Sequence, residues 1–214
     1  MLVLLTMLLL SVAAVFVGSF RSNAVARDGQ ALQVMGEARE ALTGYAVLHG
    51  RLPRPSAMPT SGLENPTPCA SEQQCTGYLP WATLGLPPTY ARGKPLRYSV
   101  TPAFAAPTTV MRRAIPTKTI STRQGGRLLY VEGSAPCTLV VPCSPAVIIA
   151  AGKYQGAGGT DQQSNDVAVA HFIQRPGSDR ELEAGGAFDD LLVWLSYDRL
   201  VRRASNTGAL EGSR

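Results

Sequence analysis

From Met1 to Phe20 nearly every side chain is apolar, and no charge appears before Arg21. About 20 apolar residues make one helical crossing of a bilayer, so this run predicts a membrane-length helix. The character then changes. Arg21–Leu48 mixes polar and apolar residues and contains no proline. Leu32, Met35, Ala38, Leu42, Tyr45 and Ala46 step by three or four, which places them on one helical face. The two halves predict one continuous helix, about 70 Å long at 1.5 Å rise per residue. Gly50 suits the position just past a helix end, and Leu52-Pro53-Arg54-Pro55 cannot continue a helix. In the first half, Leu5, Leu9, Val12 and Phe16 follow the spacing of one stripe, a candidate assembly face.

Beyond Gly50 the pattern shortens. Arg51–Thr76 is rich in proline, serine and asparagine and reads as loop. The prolines of Gly77–Pro88 exclude a central strand, and Gly93-Lys94-Pro95 reads as a turn. Leu96–Phe104 alternates as a strand, with Leu96, Tyr98 and Val100 on one face. Ala105–Gln124 shows no clear period. Arg127–Glu132 is a strand candidate. Thr138–Val141 and Ala146–Ala151 are short apolar runs, the second a core strand. Gly152–Asp166 reads as loop, Val167–Gln174 as strand, and Ala187–Trp194 as a last apolar run. Ser196–Ala204 predicts a short helix with Leu200 and Val201 facing inward. This order predicts an α+β fold: a long N-terminal α-helix, membrane half plus amphipathic half, packed on a small antiparallel β-sheet head. The units are 1–50 and 51–214.

Composition changes this picture little. The 21 glycines and 16 prolines favour a loop-rich β head over a helical bundle. A formal net charge of +5 permits contact with anionic lipid or nucleic acid without demanding it. The four cysteines form two local pairs, Cys69/Cys75 and Cys137/Cys143, each with five intervening residues. Local disulfides are the simplest pairing; free buried thiols and a metal site stay open. Disulfides point to an oxidising compartment such as the periplasm. The first basic residues follow the apolar run, and the positive-inside rule would then leave the head in the cytoplasm. A short basic leader upstream of Met1 would reconcile the two.

Candidate chemistry is sparse. Asp161, Asn165 and Asp166 lie in a glycine-flanked, oxygen-rich stretch and are calcium candidates; no other cofactor is expected. Asp189 and Asp190 are neighbours, which on a strand point to opposite faces. Ser134 and Ser144 lack the G-x-S-x-G elbow of a hydrolase. His49 sits at the helix end and His171 in an apolar strand. Arg112, Arg113, Lys118, Arg123 and Arg127 form a basic cluster without interleaved aromatics. It reads as solvated surface, and a nucleic-acid partner is not expected. Nothing here assembles into a catalytic constellation, so the chain is not expected to be an enzyme.

Several stretches together resemble the type IV pilin and pseudopilin family. M-L-V-L-L-T-M-L-L-L-S-V is similar to the family's apolar helix just after its early glutamate, although the processing site and that glutamate are absent. A-L-T-G-Y-A-V-L-H-G-R-L-P (41–53) resembles the helix end, and G-Y-L-P-W-A-T-L-G-L-P (77–87) the central segment. Y-A-R-G-K-P-L-R-Y (90–98) matches the next pattern with its acid and tryptophan replaced. F-D-D-L-L-V-W-L-S (188–196) resembles the closing strand. The resemblance implies a helix spine carrying a β head, leader processing and methylation, and polymerisation in a type II secretion or type IV pilus system. It also implies a single-pass inner-membrane protein with a periplasmic head, or an extracellular filament. Its partners would be sister subunits, an inner-membrane assembly platform and the lipid bilayer. The alternative is a signal-anchored periplasmic binding domain that does not polymerise.

Overall fold

The computed structural model describes residues 2–107 and 111–206, with side chains of the first helix described from Ala26 onward. Among the described residues there are four helices and nine short strands, a mixed α/β chain with mostly antiparallel sheets. Helix α1 is one unbroken element, Leu2–His49. Its end has a plain cause: Gly50 takes φ 67° and its N–H reaches the Ala46 carbonyl at 3.0 Å, a left-handed exit that a residue without a Cβ adopts freely.

The head is built on a four-stranded antiparallel sheet in the order β1 (Thr76–Tyr78), β4 (Arg97–Val100), β7 (Ala146–Ala150) and β9 (Leu191–Trp194). Strand β7 is buried at all five positions, and period-two geometry explains why. Ala146, Ile148 and Ala150 enter the core that contains Met35, Ala38 and Leu42 of α1 and Leu200 of α4 (Tyr197–Asn206). Val147 and Ile149 enter a second core with Ile120, Phe172 and Leu192. That second core is closed by a three-stranded sheet, β6 (Arg127–Glu132), β5 (Thr119–Gln124) and β8 (His171–Ile173). A small hairpin, β2 (Tyr90–Ala91) and β3 (Lys94–Pro95), touches α1. Helices α2 (Pro102–Ala105) and α3 (Thr160–Val167) complete the set.

The structure corrects several expectations. Among the described residues no helix is long and apolar enough to cross a membrane. From Ala26 onward α1 carries Arg27, Asp28, Glu37, Arg39 and Glu40 among its apolar residues, charges that a bilayer interior would not hold. The single-pass inner-membrane placement with a periplasmic head is overturned by this finding. Leu32 leaves the expected stripe: it is exposed, and Ala31 is buried in its place. The buried series Ala31, Met35, Ala38, Leu42, Ala46 keeps a cleaner helical step. The Leu96–Phe104 strand stops at Val100, because Pro102 opens α2. The loop expected over Gly152–Asp166 contains α3. The sheets are not wholly antiparallel, since β5 runs parallel to β8.

Candidate assembly surfaces on the helix and the head

Two stretches clamp α1 to the head. Just past its end, Arg51 and Arg54 share one carboxylate: Arg51 Nη2 lies 2.7 Å from Glu64 Oε1, and the Arg54 amide donates to Glu64 Oε2 at 3.0 Å. Burial alone would push the Glu64 carboxyl up, but the hydrogen bonds from Arg51 and Arg54 and their charges hold it below its ordinary range. The Tyr98 hydroxyl donates to the Pro53 carbonyl from inside the core at 3.2 Å. The R-L-P turn is therefore pinned on both sides.

The second clamp is Arg92. It joins β2 to β3 with φ 54°, followed by Gly93 at φ 76°, a two-residue hairpin turn that favours asparagine or glycine at its first position. An arginine there costs roughly 1 kcal/mol of backbone strain. Its guanidinium reaches Asp28 of α1 and the Asp189 carbonyl, so the strained position fastens helix, hairpin and β9 entry together. Arg203 of α4 adds an exposed pair with Glu40 at 2.7 Å. Beside Arg92 lies an open cleft of about 640 Å³. Its Lys153 pairs with Asp179 and its Lys94 donates to the Gly152 carbonyl.

The outward side of α1 differs. Gly29, Gln33, Gly36, Glu40 and Gly44 recur on the face opposite the buried stripe. A Cβ added at Gly29, Gly36 or Gly44 would meet nothing within 4 Å. Each glycine in a helix interior costs about 1 kcal/mol relative to alanine, and among the described residues no atom comes within 4 Å of the space that those three leave free.

The predicted site residues separate. Disulfides link Cys69 to Cys75 and Cys137 to Cys143. Asp161, Asn165 and Asp166 do not converge on one point. Asp161 is buried against Arg123, 2.7 Å away, and Arg175, whose Nε makes a 2.9 Å charge contact without hydrogen-bond alignment. The Asn165 amide holds the Ile173 backbone, and Asp166 accepts from the Gly156 N–H. No group of three or more metal-ligating side chains stands together among the described residues. The side chains of Leu5, Leu9, Val12 and Phe16 lie outside the described residues.

The basic cluster is dispersed. Lys118 is not solvated surface: it is fully buried, paired with Glu72 and hydrogen-bonded to the Val169 carbonyl. Burial lowers its pKa, and the Glu72 hydrogen bond opposes that shift. Arg123 is spent on Asp161, and Arg112 bonds Ser205. Asp190 is likewise buried. It accepts from the Gly152 N–H at 2.9 Å, from Gln162 and from Asn165 at 3.2 Å; burial nevertheless pushes its carboxyl up. Asp189 caps the Lys153 and Tyr154 amides, so the two neighbouring acids serve different loops. His171 bonds Thr119 across the parallel pair. Ser144 donates to a backbone carbonyl. The Arg92 clamp and the Asp161–Arg123–Arg175 cluster had no sequence signal, since their members lie 38 to 64 residues apart in the first two contacts. No protein-family model, curated protein or solved structure matches this chain.

Proposed function

We propose that this chain is a pilin-like or pseudopilin-like structural subunit that polymerises through its N-terminal helix, in a machine of the type II secretion or type IV pilus kind. The observation that carries the reading is the single 48-residue helix whose inner stripe from Ala31 to Ala46 seats on a β-rich head. By rise per residue the helix continues about 40 Å N-terminal of that stripe. A 22.7 kDa chain does not need such a rod to enclose its own cores. The outward glycines support the same reading, because small residues let helix backbones approach closely. The subunit then works by shape, with sister copies as its partners.

The test uses the full chain with Gly29→Cys and Gly44→Cys introduced together. The described native cysteines are all in disulfides, so the new thiols react alone. A bifunctional thiol crosslinker is expected to give a ladder extending past the dimer. Adding Gly36→Leu should shorten the ladder to monomer, while Gly36→Ala should stabilise the isolated chain by about 1 kcal/mol. Monomer alone in the parent double-cysteine chain would overturn the reading.

A further inference from the structure

Among the described residues strand β6 is the edge of its sheet and is paired only to β5. It is exposed along Arg127–Val131, with Leu128 and Leu129 at 47% and Tyr130 at 51%. Proteins ordinarily protect such an edge with charged residues, proline, a bulge or a covering segment; β6 has a charge at each end, Arg127 and Glu132, and a bulge near the second, which leave the apolar run Leu128–Val131 between them exposed. The disulfide loop beside it continues the apolar surface: Gly133 abuts Cys143, and Leu139, Val140 and Val141 are exposed, Val140 at 90%. This exposed apolar surface is divided between the two faces of the strand and the adjoining loop, so pairing along the open edge, rather than packing on one face, is the contact that would cover most of it.

The register identifies the occupant. Tyr130 stands opposite Ser121 and Glu132 opposite Ile120, so Val131 is an extra, bulged residue. Without the bulge, alternation would put Arg127 and Glu132 on opposite faces. With it, Arg127, Leu129 and Glu132 share one face, while Leu128 and Tyr130 share the other. Two antiparallel strands related by a two-fold axis must match residues of the same face across the pair. Centred on Leu129, β6 meets those conditions with itself. Leu129 faces its own copy, Leu128 faces Tyr130, and Arg127 faces Glu132 at both ends. A parallel pairing would instead set like charges side by side.

We infer that β6 docks a second copy of this chain, antiparallel about a two-fold axis at Leu129, joining two three-stranded sheets into one of six. Arg127 has no ion-pair partner among the described residues and is exposed. The Glu132 carboxyl accepts from Trp194 in a partly buried position near Asp198, and burial holds its pKa up; the second copy's arginine supplies the cation that this place lacks. The contact is isologous and closes at two copies, so it is separate from any helix-to-helix polymerisation.

Charge reversal tests the register in the full chain by sedimentation. Arg127→Glu and Glu132→Arg should each weaken self-association about tenfold or more, and the double swap should recover it to within about threefold. At the axis, opposed Cα atoms lie about 4.5–5.5 Å apart, within disulfide reach. Leu129→Cys should therefore oxidise to a covalent dimer, while Thr122→Cys, on the same face one strand inward, should not. A chain monomeric at roughly 0.1 mM, a Leu129→Cys chain that forms no dimer, or a double swap as weak as the single ones would each overturn the inference. A crosslinked ladder through Gly29 and Gly44 would stand or fall independently.

Discussion

Strands β6 and β7 carry similar apolar runs, L-L-Y-V and A-V-I-I-A, and meet opposite fates. Every residue of β7 is buried, whereas the apolar residues of β6 are all about half exposed. Composition does not separate them. Place in the sheet does: β7 lies between β4 and β9, with a core on each face, while β6 has one neighbour among the described residues. Hydrophobicity draws both strands out of water, but only the topology supplied β7 with two covering layers. An apolar strand left uncovered is unfinished surface, and this is why β6 is the place to look for a second copy.

The contrast can be broken at its strongest point first. Ile148 is fully buried between β4 and β9. Ile148→Ala should cost about 4 kcal/mol, the transfer free energy plus that of the cavity left behind, read as a fall in the urea midpoint.

Next comes the polar support at the end of β7. Asp190 lies at the entry to β9, with its carboxyl pushed up by burial. The sign follows from linkage: a carboxyl whose folded pKa is raised contributes stability fully below its unfolded pKa and loses it as pH rises through the folded value. Stability measured by urea titration should therefore fall across the window just above the ordinary carboxylate range. Asp190→Asn should flatten that slope. An unchanged slope would assign it to another group.

The smallest effect belongs to β6. Leu129→Ser in dilute, monomeric protein should change stability by no more than about 0.5 kcal/mol, because half of that side chain already meets water. The same substitution should reduce self-association at high concentration. If the dilute monomer lost as much as with Ile148→Ala, β6 would be core after all and the contrast would fail.

Much of the local structure was legible in the sequence. The helical spacing from Met35 to Ala46, the glycine-proline stop after His49, the strands Arg127–Glu132 and Ala146–Ala150, and the closing helix near Leu200 follow from periodicity and backbone sterics, which act between near neighbours. Leu32 and Ala31 show where that stops. Both fit a helical stripe, and only the direction in which the head lies decided that alanine goes inward. Lys118, read as surface, is buried because the loop carrying Glu72 folds over it from 46 residues away. Helix α3 reads as loop in the sequence because its polar stretch has no apolar stripe; what holds it is Asp161, Gln162 and Asn165 turned inward onto Arg123, Arg175 and Asp190. The sequence by itself determined the long helix, the strand-forming segments and the loop-rich head, because those are settled by contacts within a few residues. Tertiary structure alone decided which apolar strand is core and which is edge, which lysine is buried, and which arginine clamps the helix. Those outcomes depend on charges and surfaces meeting across tens of residues, where no local pattern records the partner.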